Sequence, residues 1–422
     1  MKKVAIFTTF LGYLESYSLC SVARTQLKML KQNGYDPMFI YRGGGGWEDV
    51  VSDIKETPDF ICDNDGSSKG MEQRAKTSYD SLVEEMLSSL RSHLKDVDVV
   101  ITHDLFFQHS NRIQDDACAK YAAENDKILW LHWIHSATSS RDIAKQAKRR
   151  YPHSFICYPN AFDTPRIATN FGYEEPDIKC VPHPLDYVDF FDMHPITEKL
   201  INEKGIMGVD VLGVYPLRLD RGKQPEKVIR IFNQIKHYCE RTIRLIIMDF
   251  QSTGGDKVKY RNQMKDEALN MGWSSDELIF MSEFDKSCNM ETPKKVVRDL
   301  FMLSNIYIHP SKSETYSLTT QEARACKNML VLNYHFPAMR TIYGDGPIYK
   351  NFGANFNIAD NVDGETTPGY NPSEEMYMRD EACAVNYHLE NQAVLAMSTE
   401  TRKNKNMQAV FKRHIEPLFF AE

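Results

Sequence analysis

The feature that most constrains the fold is a rhythm of short apolar runs separated by longer, polar, helix-like stretches, which occurs in two series. In the first half the runs are Val4–Phe7, Met38–Tyr41, Val97–Ile101, Ile128–Trp133, Phe155–Cys157 and Lys179–Val181. After residue 208 they resume as Val211–Tyr215, Ile243–Met248, Leu278–Met281, Ile306–His309 and Met329–Leu332. Continuous apolar runs without alternation read as strands buried on both faces, and their regular exchange with helical stretches predicts parallel α/β sheets. Two Rossmann-like, doubly wound domains facing across a cleft are the simplest account, and 422 residues suffice for two cores. The expected division is an N-terminal domain over 1–186, a linker over 187–208 where Pro, Gly and charged residues mix, and a C-terminal domain over 209–398. The segment 399–422 carries Met407, Val410, Phe411, Ile415, Leu418 and Phe419 near helical spacing, and is expected to pack back on the N-terminal domain. Asn361–Glu375, rich in turn formers, reads as a surface loop.

Composition excludes several classes. No apolar stretch approaches the roughly 20 residues needed to span a bilayer. The start reaches Gly12, Tyr13 and Glu15 before any signal-like cleavage site, so a cytoplasmic protein with no membrane insertion is expected. Nine cysteines show neither a C-x-x-C pair nor zinc spacing with histidine, which suggests buried thiols and no metal site. A net charge of −7 argues against a broadly basic face. One local patch stands out: Arg141, Lys145, Lys148, Arg149 and Arg150 face a single acid, Asp142, in a helical-looking stretch, which is either a solvated helix face or a phosphate-binding one.

The candidate chemistry lies where strands end. Arg218 and Lys223 follow the run Val211–Tyr215, and Glu314 and Glu322 follow Ile306–His309. Ligands of open α/β sheets bind outside the carboxyl ends of strands, so two cations and two carboxylates there point to a phosphorylated, hydroxyl-rich ligand such as a nucleotide sugar. Fixed cations favour a departing diphosphate more than the ground state, with arginine as a bidentate partner and lysine as a point charge. The loop Pro310–Thr315 precedes a helix start, where free N–H groups and the helix dipole favour phosphate. Thr315, Tyr316, Ser317, Leu318 and Thr319 lie at that start, with hydroxyls to add, while Glu314 would take sugar hydroxyls and Glu322 a ribose. Main chain near Met281–Phe284, including Ser282 and Phe284, is the candidate for the base. In the first half His103 and Asp104, and His132 and His135, follow strands and read either as contacts to a sugar or acceptor hydroxyl or as structural polar residues. Gly12 would let backbone approach a diphosphate, but Phe-Leu-Gly-Tyr lacks the G-x-G-x-x-G spacing of a dinucleotide site, which disfavours hydride chemistry. Gly43–Gly46 reads as an acceptor-side lid or a plain connection.

These residues together resemble the retaining GT-B glycosyltransferases, the family of sucrose synthases and bacterial mannosyltransferases. The resemblance rests on Arg218-x4-Lys223, on Pro310-Ser311 followed by Glu314-x7-Glu322-Ala323, and on Cys180–Phe190, similar to the family's segment ahead of its hinge. It is loose over most of the chain and sharp from about 211 to 332. It implies a nucleotide-diphosphate sugar as donor, no metal requirement and retention of the anomeric configuration. Arg218 and Lys223 would hold the diphosphate, Glu314 the sugar and Glu322 the ribose. Gly12 would correspond to the family's glycine loop, and His135 or His132 to its sugar-touching histidine. The chain departs from the family in carrying Thr315-Tyr316-Ser317 where glycine, aromatic, glycine is usual, and in lacking a glycine within Ala325–Asn328.

A second, shorter resemblance runs from His135-Ser-Ala-Thr-Ser-Ser-Arg141 into the basic stretch, and is to viral α-glucosyltransferases that modify hydroxymethylated cytosine in DNA. It implies 5-hydroxymethylcytosine in double-stranded DNA as the leading acceptor, in host cytoplasm, with Arg141 on the acceptor side. Bacterial surface polysaccharide or lipid glycan is the next acceptor class. A GT-B nucleotide-sugar epimerase and a non-catalytic nucleotide-binding protein are the competing functions.

Overall fold

The computed structural model describes residues 2–59, 78–105, 111–135, 149–250, 257–311, 314–335, 337–352 and 372–421. The basic stretch from Arg141 to Lys148 and residues 361–371 of the turn-rich segment lie outside these residues, while Pro372–Glu375, expected as the end of that loop, open a helix. The chain divides into two compact units, Met1–Asp186 with Met407–Glu422, and Tyr187–Asn406.

In the first unit, strands β1 (Val4–Phe7), β2 (Met38–Tyr41), β3 (Asp53–Glu56), β4 (Val99–His103), β5 (Leu129–Trp133), β6 (Ser154–Tyr158) and β7 (Ile178–Cys180) form one sheet. Its order is β3-β2-β1-β4-β5-β6-β7, with every pairing parallel. Two apolar clusters cover it. One takes α2 (Tyr79–His93), α3 (Arg112–Glu124) and α4 (Thr164–Phe171), and the other takes α1 (Ser18–Gln32) and the returning residues Val410, Phe411, Ile415, Leu418 and Phe419. The helices form because their apolar residues recur on one stripe, as in α1, whose Cys20, Ala23, Leu27 and Leu30 are buried.

The second unit repeats the design. Helix α5 (Pro195–Lys204) leads into β8 (Val211–Arg218), followed by α6 (Pro225–His237), β9 (Ile243–Phe250), α7 (Lys257–Asn270), β10 (Leu278–Phe280), α8 (Lys294–Leu303), β11 (Ile306–His309), α9 (Leu318–Ala325), β12 (Met329–Asn333), α10 (Pro337–Tyr343) and β13 (Ile348–Lys350), then α11 (Pro372–Asn391) and α12 (Ala393–Asn404). The sheet order is β10-β9-β8-β11-β12-β13, again parallel. Both orders are those of doubly wound Rossmann-like sheets, as the two series of apolar runs predict.

Two boundaries differ from expectation. Residues 187–208 are not a bare linker, because Leu200 of α5 (Pro195–Lys204) and Ile206 and Met207 of the turn after it are buried in the second core, with Tyr187 and Val188 of a helical turn packed against it. Thr197 Oγ1 and the His194 N–H donate to the buried carboxylate of Asp299, at 3.0 and 2.7 Å. At the other end, 399–406 stay with the second unit, and the return to the first begins at Met407. Arg402 fixes that division, since its buried guanidinium donates to the carbonyls of Ile206, Met207 and Val209. Among the described residues no helix is long and apolar enough to cross a membrane, and the described cysteines are free thiols.

Candidate functional site

From β8 the second unit winds outward to β9 and β10, then crosses to β11 and winds the other way. The switch point therefore lies between β8 and β11, and open α/β sheets bind ligands above such a point. The two strands share one registered pair, Ile306↔Gly213, whereas β8 stays in register with β9 from Val211 to Arg218. Aromatic side chains fill the space beyond that pair, with the Tyr215 ring 6.0 Å from Tyr307 and 6.2 Å from His309.

Each central strand delivers charged groups here. Arg218 ends β8 with its side chain 59% exposed, its nearest acid being Asp220 at 4.0 Å. A turn over Arg221–Lys223 then carries Lys223 back over the sheet, held by the Tyr215 hydroxyl, which donates to the Lys223 carbonyl at 2.7 Å. Buried Gln224, with φ +49°, donates its amide to the Pro310 carbonyl and so joins the loops after β8 and β11. As a result the Lys223 ammonium donates to Glu314 Oε2 at 2.6 Å. Burial pushes the Glu314 carboxyl up, but the hydrogen bond and charge of Lys223 outweigh it and hold the group below the usual carboxylate range.

After Glu314 the chain enters α9 through Ser317, which sits at φ +61°, a region in which glycine is unstrained and other residues are uncommon. Its Oγ lies 2.8 Å from Thr320 Oγ1 and accepts from the Thr320 N–H at 3.4 Å, while Thr319 Oγ1 is 2.9 Å from the Tyr307 hydroxyl. The hydroxyls of Ser317 and Thr319 are thus engaged within the loop rather than free for phosphate. The Tyr343 hydroxyl braces the turn against the Tyr316 and Ser317 carbonyls, at 2.9 and 2.8 Å, and the side chains of Tyr316 and Leu318 point outward. Glu322 lies inside α9, ion-paired to Lys294 of α8, and its Oε2 is buried with no partner among the described residues.

Ser282 and Phe284 make contacts within the second unit. Ser282 donates its N–H to the Asp249 carboxylate at 3.1 Å, bonds it also through Oγ, and takes a 2.8 Å bond from Arg261. Phe284 packs against the second core under the Lys199 ammonium, 4.9 Å from its ring.

In the first unit the switch point lies between β1 and β4. Here His132 separates from the other candidates: it is buried within the core, 2.8 Å from Thr102 Oγ1 and edge-on to Tyr151, so the structure corrects its assignment to the acceptor side. Strand alternation is the cause, since His132 lies within β5 and His135 beyond its end. His135 joins a row. Gln26 Oε1 lies 3.0 Å from His103 Nε2, His103 Nδ1 lies 2.8 Å from His135 Nε2, and His135 Nδ1 lies 3.5 Å from His183 Nε2. Burial lowers the pKa of His135 to about 3 and moves that of His103 in the same direction. Asp104, at φ +49°, accepts the His135 N–H at 2.9 Å, and burial pushes its carboxyl up to about 6.

Gly12, at φ +66°, has its N–H bonded to the Gly43 carbonyl at 2.8 Å. A Cβ on Gly44 would stand 2.9 Å from the Gly12 nitrogen, so Gly43–Gly46 is a backbone brace on the loop after β1. Among the described residues no group of three or more His, Cys, Asp or Glu is placed to hold a metal. Arg141 lies outside the described residues. His309, Tyr307, Gln224, Gln26 and His183 carry no sequence signal of their own here: His183 lies inside Cys180–Phe190, and His309 closes a buried strand.

No family model matches the chain, and no curated protein is similar to it. Solved structures align along its length at low identity. A glycosyltransferase from Rickettsia africae shares 14% identity over 99% of this chain and 98% of its own, with a TM-score of 0.35. The HepE protein of Anabaena in complex with UDP and glucose shares 10% over all of both chains, with a TM-score of 0.34. Sucrose-phosphate synthase from Thermosynechococcus elongatus shares 11% over 99% and 97%, with a TM-score of 0.33. Likeness at this level leaves the chemistry to be read from the residues themselves.

Proposed function

We propose that the chain is a glycosyltransferase that takes a sugar from a nucleotide-diphosphate sugar, held by the second unit, to a hydroxyl acceptor. The observation that carries this is the meeting of Lys223 and Glu314 above the switch point, with exposed Arg218 on the adjoining strand end. A cation pair suits a diphosphate that gains charge as its bond to the sugar breaks, and this charge relief lowers the barrier. A carboxylate held ionised beside it suits sugar hydroxyls. Glu322, with one buried and unpartnered oxygen, suits a ribose. By the resemblance in sequence, the family's sugar-touching histidine corresponds to His135, which follows β5 of the first unit. Retention of anomeric configuration, reaction without a metal, and 5-hydroxymethylcytosine in DNA as the leading acceptor belong to this proposal and rest on the resemblances in sequence.

The test is nucleoside diphosphate release from a panel of nucleotide sugars, with duplex DNA containing 5-hydroxymethylcytosine, with unmodified DNA, and with no DNA. Release stimulated by the hydroxymethylated duplex alone supports donor and acceptor together. Release from one donor regardless of DNA supports the donor site and moves the acceptor to glycans or lipids. Lys223→Ala and Arg218→Ala should each lose at least ~10²-fold in transfer while circular dichroism stays native. Full turnover in either purified variant would sink the assignment.

A further inference from the structure

Lys223 and Glu314 satisfy each other, yet a diphosphate claims the same ammonium. When Lys223 turns to a phosphate, the hydrogen bond left to Glu314 among the described residues is from the N–H of Thr315, 3.2 Å from Oε1. Its side chain is 21% exposed, and a largely buried carboxylate stripped of its cation is costly. Some group must replace the lysine, or the donor binds against that cost.

One group stands ready. His309 Nε2 is 3.8 Å from Glu314 Oε2, too far for a hydrogen bond. His309 is 3% exposed, and this nitrogen has no hydrogen-bond partner among the described residues. The far side of the ring orients its proton. His309 Nδ1 lies 3.0 Å from the Tyr307 hydroxyl, which lies 2.9 Å from Thr319 Oγ1. With Thr319 donating to Tyr307 and Tyr307 donating to Nδ1, the one proton of the neutral ring stands on Nε2 and faces Glu314. A movement of about 1 Å brings that N–H into the ~2.8 Å range of a charge-assisted bond.

We propose that His309 is a positioning residue that takes hold of Glu314 when a phosphate draws Lys223 away, so that diphosphate binding and sugar recognition are coupled through one carboxylate. The exchange moves hydrogen bonds only, and no proton changes owner. It rests on the nucleotide-sugar reading for its ligand, but the hand-over is a property of the residues and can be tested without one.

Lys223→Met imitates departure of the lysine. In protein labelled with ¹⁵N-histidine, with the His309 signal assigned by its loss in His309→Gln, the Nε2–H proton should move downfield in Lys223→Met. It should return in Lys223→Met combined with Glu314→Gln. An unmoved signal, or a proton found on Nδ1, overturns the proposal. A second measurement titrates nucleoside diphosphates. His309→Leu should weaken binding about tenfold, His309→Gln should restore most of it, and the loss should vanish in a Glu314→Gln background. A loss that persists there means His309 acts on structure alone and also overturns the proposal. If the wild-type chain binds no nucleoside diphosphate, the nucleotide-sugar reading fails, and the ligand-free spectrum still decides the hand-over.

Discussion

Asp104 joins three constraints at one residue: a left-handed backbone, a buried side chain and a carboxylate oxygen with no partner among the described residues. Burial raises its folded pKa to about 6, against 3.8 for the free group. The folded state therefore holds the proton more tightly, and the stability it contributes is full below about pH 4 and is lost as pH rises through about 6. Asp104→Asn keeps an acceptor for the His135 N–H and suits positive φ, yet carries no charge. Its stability relative to wild type should improve by on the order of 3 kcal/mol between pH 4 and pH 7. Urea titrations followed by fluorescence, which weights the first unit through Trp47, Trp130 and Trp133, would read this. Parallel pH profiles for the two proteins would refute it. At this scale the sequence showed which residue types collect at strand ends, but not which way each one faces. His132 and His135 are alike in sequence and differ in strand register, and a polar residue that closes a buried strand, such as His309, looks the same in sequence whether it faces the core or the site.

Gly213 shows what an element demands of its neighbour. It lies in β8, where a Cβ would stand 2.4 Å from Phe232 Cζ of α6. The helix can lie this close to the strand because the strand has no side chain there. Gly213→Ala should destabilise the second unit by about 1–3 kcal/mol through overpacking, seen as a lower Tm, and Phe232→Leu should recover part of that loss in the double variant. Additive losses would mean the two residues are not in conflict. Since Gly213 is also the position where β8 meets β11, shifting the helix would disturb the switch point. Interior strands were legible because burial on both faces makes them uniformly apolar. The edge strands β3 and β13 were not, because partial exposure permits Asp53-Ile-Lys-Glu56 in one and Ile348-Tyr-Lys350 in the other. Helix α5 hid behind Pro195, which reads as a breaker yet sits at the first helical position, where its missing N–H costs nothing.

For the molecule as a whole, the division into units does not follow chain order, because Met407–Glu422 belongs with residues that precede Tyr187. Apolar spacing in the last segment signalled burial without naming the surface, since a stripe records that a face is covered and not by what. Its partner is the cluster around α1: Tyr35 meets Phe411 at 5.9 Å and Phe419 at 5.4 Å, Lys2 donates to the Phe419 carbonyl, and Gln408 donates to Asn33 at 3.1 Å. Val410, Phe411, Ile415, Leu418 and Phe419 are buried there. At roughly 1.5–3 kcal/mol for each buried side chain, as an upper bound, this matches the roughly 5–15 kcal/mol that holds a domain folded. A chain ending at Asn406 should therefore lose most of the stability of its first unit. The second unit should keep its own, because Arg402 and its carbonyl partners are retained. Hydrogen exchange would resolve the two, with amides of β1 to β7 losing protection in the truncated chain and those of β8 to β13 keeping it. Equal loss in both sheets would mean that the final segment supports the whole chain rather than the first sheet, and undiminished protection in β1 to β7 would mean that its apolar face contributes little to either.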